Sequence, residues 1–397
     1  MLKGKTIVVG VTGGIAAYKS AQLVSDLVKE GCDVHVVMTK NALNFIHPIT
    51  FETLTRHKCL TDTFDRNFEF DVTHVALSQK ADVFLIAPAS ADVIGKAANG
   101  IADDMLTTML LAAYCPIILA PAMNTFMYEN SIVQENLEKL RRHGFVLIEP
   151  SVGRLACRDT GKGKLPDIST LIDYVRYTIG CQKDLTGKKV LISAGPTVEA
   201  IDPVRYITNH SSGKMGYALA EAAAMRGAEV TLVSGPVRLA PPLYTEVVPV
   251  RSAEEMYQAV ASRFPHNDIL IMAAAVADYT PTAAADEKIK KSDGEMSLSL
   301  KRTKDILQWA GDNKKSGQFI CGFSMETEHL LENSRRKLKK KHCDMIAANS
   351  IRQSGAGFGV DTNIITLITA DDTQELPLLS KTEAAHRILD AIKASQT

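Results

Sequence analysis

The stretch TIVVGVTGGIAAYK, residues 6–19, holds a run of β-branched residues, a turn with paired glycines and the start of a helical pattern. A strand that leads through a glycine-bearing turn into a helix is typical of a mostly parallel α/β sheet. The same order returns at residues 190–226, where the run VLISAG precedes a polar loop and a second helical pattern. Because the two stretches show no residue-by-residue repeat, the sequence predicts two different α/β domains rather than a duplication.

Periodic segments extend this pattern through both halves of the chain. The first half predicts strands at 6–11, 33–38, 83–88, 117–120 and 145–148, and helices at 16–30, 131–143 and 168–178. The second half predicts strands at 190–195, 229–235, 269–276, 318–324 and 363–369, a helix at 214–226, and a last helix that opens with the capping pattern Ser380-Lys-Thr-Glu383. The polar stretch GCQKDLTGKK, residues 180–189, separates the halves. We therefore predict a domain at 1–180, a linker at 181–188 and a second domain at 189–397, both doubly wound and Rossmann-like.

The composition excludes several classes of protein. The chain has 397 residues, with 45 Lys and Arg against 45 Asp and Glu, and 46% of its residues are apolar. Such a chain buries large cores and has no sequence-wide attraction for nucleic acid or an anionic membrane, so disorder and collagen are excluded. Its seven cysteines include no CxxC pair, which argues against a disulfide framework and a cysteine zinc cluster. With no apolar run of 18 residues, we expect a cytoplasmic, soluble protein without membrane or nucleic-acid partners.

The glycines of the first turn predict a phosphate site. Gly13 and Gly14 lie where the first strand gives way to a helix, so backbone amides and the positive helix end can face an anion. Their spacing is not GxGxxG, which disfavours the pyrophosphate of NAD. A single phosphate, as on FMN, fits better, and the alternative is a tight turn that only needs positive φ.

Polar loops follow the next strands of the first half. APASAD, residues 87–92, and APAMN, residues 120–124, both come after strands, and NGIADD, residues 99–104, adds a third polar loop. In an open α/β sheet the loops after the carboxyl ends of the strands converge on the ligand crevice. Turns and helix caps are the alternative interpretation of the same residues.

Three blocks in the first half resemble a known family. His74 within DVTHVAL, Asn124 within PAMNTFMY and Cys157 within GRLACRDTGKG resemble the flavin-dependent cysteine decarboxylases, in particular those that act on phosphopantothenoylcysteine. Arg158 and Tyr128 depart from the family pattern, which usually has Gly and Trp there. Each block alone would fit a capped histidine, a turn asparagine or a buried cysteine.

The resemblance implies a flavodoxin-like domain that decarboxylates a terminal cysteine while FMN takes up and returns electrons. His74 would be the base, Asn124 would hold the substrate carboxylate, and Cys157 would donate a proton as a thiol. The implied FMN contacts are Gly13, Gly14, Ile15, Ala16, Thr39, Ser90, Asn99 and Asp103.

The second half carries a different set of motifs. NHSSGKMG, residues 209–216, comes just before a helix and suggests an anion cradle, although it is not a Walker A loop, and a serine-capped helix is the alternative. AAAVAD, residues 273–278, is predicted to be a buried strand that ends in the carboxylate of Asp278. RRKLKKK, residues 335–341, supplies a basic helix face, which in isolation would be a solvated surface or a nonspecific nucleic-acid patch.

These blocks together resemble the phosphopantothenate–cysteine ligases, and the whole chain resembles the bifunctional proteins of coenzyme A biosynthesis. The resemblance implies that CTP and Mg²⁺ activate 4'-phosphopantothenate as an acyl-cytidylate, from which the amine of L-cysteine displaces CMP. Lys288 would stabilise phosphate charge, Asn209 would bind the acyl-cytidylate and Arg205 would assist the second step. The implied CTP and substrate contacts are Ala273, Ala274, Ala275, Asp278, Lys288, Phe323, Lys337 and Lys341, with Asp278 also a candidate metal ligand.

The same resemblance implies a homo-oligomer, with trimers of the flavin domain that share FMN between subunits and dimers of the ligase domain. Two other functions stay open at this point. A flavin-binding regulatory protein without catalysis would keep the fold, and an NAD-dependent oxidoreductase would need the GxGxxG and ribose-binding acid that the sequence lacks.

Overall fold

The computed structural model describes residues 1–63, 73–154, 160–290, 296–326, 329–350 and 359–396. The chain divides into two compact units, Met1–Gln182 and Lys183–Thr397. None of the helices in these described ranges is both long enough and apolar enough to cross a membrane.

The first unit is built on a parallel sheet. Its strands are β1 (Thr6–Val11), β2 (Asp33–Met38), β3 (Val83–Ala89), β4 (Ile117–Pro121) and β5 (Val146–Leu147). The spatial order is β2-β1-β3-β4-β5, which is the flavodoxin-like order with its switch point between β1 and β3. Every residue of β1 and β3 is buried, as expected for strands covered on both faces. The predicted flavodoxin-like fold is confirmed.

Helices cover both faces of this sheet. They are α1 (Ala17–Lys29), α2 (Pro48–Thr55), α3 (Thr73–Lys80), α4 (Ala91–Asn99), α5 (Met105–Leu111), α6 (Thr125–Glu129), α7 (Ser131–Arg142) and α8 (Ile168–Ile179). One core cluster joins the sheet to α1, α2 and α8, and the other joins it to α3, α4, α5 and α7. An antiparallel hairpin of β6 (Ser151–Arg154) and β7 (Thr160–Lys164), which the sequence does not predict, completes the unit.

The second unit has a larger sheet with smaller ribbons beside it. Its strands are β8 (Lys189–Ala194), β9 (Val198–Ala200), β10 (Tyr206–Thr208), β11 (Glu229–Ser234), β12 (Thr245–Pro249), β13 (Ile269–Met272), β14 (Tyr279–Pro281), β15 (Leu300–Arg302), β16 (Phe319–Glu326), β17 (Met345–Ser350), β18 (Thr362–Asn363), β19 (Ile365–Ile368), β20 (Thr373–Glu375) and β21 (Leu379–Ser380). The order β12-β11-β8-β13-β16-β17 is parallel and has the Rossmann arrangement, while β19 and β20 add antiparallel edge strands.

The helices of the second unit are α9 (Lys214–Met225), α10 (Ala253–Arg263), α11 (Ile306–Asp312), α12 (Leu330–Lys340) and α13 (Lys381–Ala394). The switch point lies between β8 and β13, because the chain builds the sheet in one direction through β11 and in the other through β13. The predicted capping box opens α13, where Ser380 Oγ accepts from the Glu383 amide at 3.2 Å and Glu383 Oε2 accepts from the Ser380 amide at 3.0 Å.

One predicted strand is shorter than expected. The prediction of a strand over 269–276 that ends in the Asp278 carboxylate is wrong, since β13 ends at Met272 and the exposed Asp278 lies six residues beyond it. The chain beyond Met272 follows the loop after β8, where the amides of Ala273 and Ala275 donate to the carbonyl oxygens of Ser193 and Gly195 at 3.2 and 2.9 Å. The alanine run therefore stays beside the loop after β8, with a parallel bridge between Ala275 and Pro196, at the carboxyl ends of the strands.

Candidate functional site

The turns after β1 and β3 are tied together at the switch point of the first unit. The buried Thr12 hydroxyl donates to the carbonyl oxygen of Pro88 at 2.7 Å and accepts from the amide of Ser90 at 2.9 Å. Gly13 has no room for a side chain, because a Cβ there would lie 2.5 Å from Asn41 Cβ. These contacts bring the predicted phosphate turn, residues 13–16, next to Ser90.

Thr39 supplies a test of whether a flavin fits this crevice. It follows β2 and is 6% exposed, yet its hydroxyl has no hydrogen-bond partner among the described residues. A buried hydroxyl without a partner is costly, so a bound group that accepts or donates at this atom would stabilise the fold. Ile15, 59% exposed, adds an apolar surface at the same turn. A phosphate-bearing, partly apolar cofactor such as FMN matches this combination.

Asn99 and Asp103 lie at the end of α4 and in the loop that follows it. This nine-residue helix begins beside Ser90, and nine residues of α-helix span about 13 Å. Asn99 Nδ2 donates to the Gly95 carbonyl at 2.8 Å, and Asp103 forms an ion pair with Lys96 at 3.1 Å. Lys96 also pairs with Asp92 at 3.3 Å, so the loop that carries Asp103 folds back toward the first turn of α4, which begins beside Ser90.

Asn124 is positioned by its own local structure. It follows β4 and caps α6, where its Oδ1 accepts from the amide of Phe126 at 2.9 Å. The cap fixes the plane of the carboxamide, because one of its two ends is held by the backbone. An asparagine at the carboxyl edge of the sheet, held in this way, can present amide donors to a carboxylate.

The hairpin β6–β7 packs directly on the Asn124 loop. The amide of Met123 donates to the carbonyl oxygen of Gly163 at 3.0 Å. A Cβ at Gly163 would lie 2.3 Å from Met123 O, and one at Gly161 would lie 2.4 Å from Thr125 Oγ1. Both glycines are therefore required for this close approach.

Two of the predicted catalytic groups fall outside what the structure describes. Cys157 belongs to residues 155–159, which lie outside the described ranges between β6 and β7. His74 is the second residue of α3, but its side chain also lies outside the described part of the chain. Their predicted roles stay predictions.

The second unit has a cleft at the carboxyl ends of β13 and β16. Its larger compartment has a volume of about 580 Å³ and is lined by Asp278, Phe323, Lys337 and Lys341 among others. An adjoining compartment of about 280 Å³ reaches the turn 211–216 before α9. Residues common to both compartments are Ala274, Val276, Asp278, Phe323 and Lys337. Apart from Lys288, the predicted CTP contacts all line this cleft, and Ala273 and Ala275 do so in the smaller compartment.

The cations of the cleft are held by groups of the same unit. Lys337 Nζ donates to the carbonyl oxygen of Phe323 at 2.8 Å, and Lys341 pairs with the carboxylate of Asp305. Burial opposes ionisation of Asp305, but the hydrogen bond from Lys341 outweighs it and holds the pKa of this carboxyl below its usual value. Lys341 thus keeps a charged partner until an anionic ligand competes for it.

Asn209 and Arg205 connect the loops around the cleft. Asn209 Nδ2 donates to the carbonyl oxygen of Ala275 at 3.0 Å. The guanidinium of Arg205 donates to the Asp202 carboxylate through Nε at 3.0 Å and Nη2 at 2.5 Å, and to the carbonyl oxygen of Ile289 at 2.9 Å. The pairing with Arg205 holds the pKa of Asp202 well below its usual range. This pair anchors the segment that carries the exposed Lys288.

Several lining residues are absent from the sequence-based prediction. The segment 302–307, just before and into α11, forms one wall of the larger compartment. Asn349 and Lys381 line the smaller one, and Asn349 Oδ1 is buried without a hydrogen-bond partner in the described ranges. Asp305 caps α11, so an Asp-x-x-Gln capping pattern is the signal that could have located that wall. No local pattern marks Asn349 or Lys381.

Asp278 can bind a metal ion only together with further ligands. Its side chain is exposed at the cleft, and the nearby Asp305 is already engaged by Lys341. Protein sites for Mg²⁺ commonly use one or two carboxylates together with substrate phosphates. Asp278 can therefore contribute to a magnesium site that nucleotide phosphates complete.

Comparison with known proteins also divides the chain into two parts. The family described as Flavoprotein matches residues 1–180, and the family described as DNA/pantothenate metabolism flavoprotein C-terminal domain matches residues 185–395. The Coenzyme A biosynthesis bifunctional protein CoaBC of Bacillus subtilis (strain 168) is 48% identical over 398 residues, covering 99% of this chain and 98% of the relative. Its Escherichia coli (strain K12) counterpart is 41% identical over 394 residues, covering 98% and 97%.

Solved structures resemble each unit separately. The C-terminal domain of a CoaBC protein is 44% identical, covers 54% of this chain and 98% of its own, and superposes with a TM-score of 0.47. A PPC decarboxylase complexed with pantothenoylaminoethenethiol is 31% identical, covers 44% and 97%, and has a TM-score of 0.40. The full-length relatives and the two successive families show that this chain belongs to the CoaBC family, the bifunctional proteins of coenzyme A biosynthesis, in which a flavoprotein decarboxylase unit precedes a ligase unit.

Proposed function

We propose that the chain performs its two reactions at the two sites described above. The second unit ligates cysteine to 4'-phosphopantothenate with CTP, and the first unit decarboxylates the resulting 4'-phosphopantothenoylcysteine to 4'-phosphopantetheine. The observation that carries this proposal is the cleft of the second unit, where residues from distant segments, among them Asp278, Phe323 and Lys341, line one compartment of about 580 Å³. That volume is in the range of small-molecule sites.

In the ligase reaction, a carboxylate oxygen of 4'-phosphopantothenate attacks the α-phosphorus of CTP and pyrophosphate leaves. The amine of cysteine then attacks the acyl carbon of the acyl-cytidylate, and CMP leaves. Lys288 neutralises charge on the phosphates in the first step, and Asn209, held against Ala275, binds the intermediate. Arg205 is engaged by Asp202, so it assists by holding the loop that carries Lys288.

Binding of CTP replaces contacts of two lysines within the unit by contacts with the nucleotide. Lys341 leaves Asp305, and Lys337 turns from the Phe323 carbonyl, so that both ammonium groups face phosphate or the nucleoside. Asp278 supplies a carboxylate for Mg²⁺ together with the phosphates. The affinity for CTP should therefore fall more steeply with added salt than the affinity of a purely apolar site for its ligand.

In the decarboxylase reaction, FMN supplies the two-electron chemistry when bound. The turn 13–16 would hold the FMN phosphate, and Thr39 and Ser90 would hydrogen-bond to the cofactor, which would satisfy the buried Thr39 hydroxyl. Asn124 donates its amide to the substrate carboxylate, His74 takes a proton from the substrate, and Cys157 returns one. The close contact of Gly163 with Met123 holds β7 against the Asn124 loop, which supports a role for Cys157, three residues before β7, in the same reaction.

A homo-oligomer fits two features of the described surface. Ile15 and Tyr18, each 59% exposed, form an apolar surface beside the flavin turn. In the second unit, Val204 and Tyr206 are 58% and 53% exposed on and beside the ribbon β9–β10, which suits the proposed dimer contact.

The experiment that tests the proposal is product analysis by mass spectrometry. The purified protein is incubated with 4'-phosphopantothenate, cysteine and Mg²⁺, with CTP in one tube and ATP in another. We expect 4'-phosphopantetheine and CMP from the CTP tube only. Equal turnover with ATP would reject CTP as the nucleotide, and release of 4'-phosphopantothenoylcysteine without decarboxylation would reject the first-unit site as described.

A further inference from the structure

Two residues of the edge strand β2 point to the same side of the sheet. Asp33 and His35 are alternate residues, whereas Val34 and Val36 between and beyond them are each 1% exposed in the core. The segment after α2 runs alongside β2, since the amide of Leu60 donates to the Val36 carbonyl at 2.9 Å. This pairing brings His57, three residues before Leu60, against Asp33 and His35.

The three side chains converge on one point. Asp33 Oδ1 lies 2.8 Å from His57 Nε2 and 3.4 Å from His35 Nε2. Their ligand atoms all lie within 4.8 Å of one another. In a tetrahedral zinc site with bonds near 2.1 Å, neighbouring ligand atoms are about 3.4 Å apart. The separations suit such an ion, but the two imidazole rings are stacked with 4.1 Å between their centroids and 16° between their planes, so one ring must turn before both Nε2 atoms point at it.

The surroundings leave one carboxylate oxygen for the ion. Lys80 Nζ donates to Asp33 Oδ2 at 2.7 Å, so Oδ1 is the oxygen shared by the two imidazoles. His35 Nε2 is buried, and its contact with Asp33 Oδ1 at 3.4 Å is longer than an ordinary hydrogen bond.

The cluster is distinct from the flavin crevice. Asp33 begins β2 and Thr39 follows its other end, and six residues of strand separate them by about 20 Å. His57 is 40% and Asp33 30% exposed at the side chain, so an ion can reach the cluster from solvent.

We propose that Asp33, His35 and His57 form a site for a divalent first-row transition metal such as Zn²⁺, with a water molecule as the fourth ligand. Two imidazoles and one carboxylate are a donor set that zinc and its neighbours in the series accept. Lys80 orients the carboxylate through its second oxygen. The ion fastens the segment 56–60 to the edge strand, where the proton shared by Asp33 and His57 now does so.

The test uses the full-length protein with its flavin bound, stripped of metals by a chelator that is then removed. Zn²⁺ is titrated calorimetrically into wild type, His57→Asn and the control His342→Asn. His342 is the matched control because it pairs with a single carboxylate, Asp312, at 2.9 Å in the second unit. We expect His57→Asn to lose one bound Zn²⁺ per chain, while wild type and His342→Asn bind equally and only these two gain thermal stability in the first unit.

Equal zinc stoichiometry in wild type and His57→Asn would overturn the site. A second readout needs no variant: Co²⁺ bound to wild type should give hyperfine-shifted proton signals from two imidazoles in its NMR spectrum. Signals from one imidazole or none would also overturn it. Flavin absorbance, recorded for each protein, shows that the first unit is folded in every sample.

Discussion

The two units prepare their sites in opposite ways. Around the flavin turn of the first unit, the groups that face the crevice are neutral: the Thr39 hydroxyl, Ser90 and the Asn124 amide. Around the cleft of the second unit, the groups are charged, and Lys341 and Arg205 are already paired with carboxylates of the same unit. Ligand binding at the first site therefore depends on shape and on the buried Thr39 hydroxyl. Binding at the second site requires cationic side chains to leave carboxylates of the unit and pair with phosphates of the nucleotide. The predictions below change one site at a time.

The largest effect is expected from Lys288→Gln. The exposed ammonium is the charge that stabilises phosphate during attack, and loss of one such group typically costs about a hundredfold or more in rate. Ligation, measured by CMP release, should fall by that factor while decarboxylation of supplied 4'-phosphopantothenoylcysteine is unchanged. Lys290→Gln, an exposed lysine two residues further on, is the matched control and should leave both rates intact.

A second large effect is expected from Asn124→Asp. The aspartate keeps the acceptor that caps α6 but turns the amide into a carboxylate, which repels the carboxylate of the substrate. Decarboxylation should fall by about ten- to a hundredfold with ligation unchanged. Asn130→Asp is the control, because Asn130 caps α7 in the same way, with its Oδ1 3.0 Å from the Ile132 amide. If both variants lost activity equally, the role of Asn124 would be structural.

Gly163→Ala tests the hairpin. Its φ of +152° and a Cβ position 2.3 Å from the Met123 carbonyl oxygen exclude a side chain, so the hairpin must lift away from the Asn124 loop. We expect roughly a tenfold loss of decarboxylation with flavin retained. Gly153→Ala on the facing strand meets only Lys164 Cδ at 3.5 Å and should be tolerated. Full activity of Gly163→Ala would show that this contact does not position the substrate.

Arg226→Met tests the charge network that stabilises the second unit. Arg226 is 4% exposed and donates to Asp184 through Nε and Nη2 at 2.8 and 2.7 Å, and to Asp390 at 2.7 Å. Removing one partner of a buried pair costs about 3 kcal/mol. Denaturation followed by the fluorescence of Trp309, the single tryptophan, should show this loss, whereas Lys393→Met, at a half-exposed partner of Asp184, should cost less than about 1 kcal/mol. Equal effects would contradict the ranking.

The smallest effect concerns pH. Burial lowers the pKa of His35 in the first unit and of His386 in the second, helped by His57 and Arg226 respectively. The unfolded chain then binds protons more readily, so stability is complete above the unfolded value of about 6.5 and is lost as pH falls below it. In His35→Gln, the stability of the first unit should decrease less as the pH falls, whereas the Trp309 transition of the second unit should not change. Unfolding of the first unit is measured by flavin release in the presence of a chelator.

The sequence predicts the sheet cores well and the short elements poorly. The bounds of β1 and β2 agree with the predicted 6–11 and 33–38, because β-branched runs flanked by turns identify buried strands. The helices α2 to α6 have five to nine residues each, too short for a clear helical period. The hairpin β6–β7 is rich in glycine and lysine, and contacts with Met123 and Thr125 hold it in place, so no local pattern predicts it.

The sites likewise combine residues that sequence motifs predict with contacts that only the tertiary fold creates. Motif resemblance predicts the nucleotide contacts, and all of them except Lys288 line the cleft. The pairs Lys341–Asp305 and Arg205–Ile289 join residues 36 and 84 positions apart, so they follow from the tertiary fold and not from spacing. The family assignment favours the bifunctional enzyme over the regulatory and NAD-dependent alternatives.

The central claim is that one chain holds two separable sites, and the product of Asn124→Asp tests it most directly. This variant is supplied with 4'-phosphopantothenate, cysteine, Mg²⁺ and CTP, and the products are identified and quantified by mass spectrometry. The account predicts that 4'-phosphopantothenoylcysteine accumulates with a matching amount of CMP while 4'-phosphopantetheine is scarce. If CMP release also stopped, or if 4'-phosphopantetheine formed at the wild-type rate, the separation of the two sites proposed here would be contradicted.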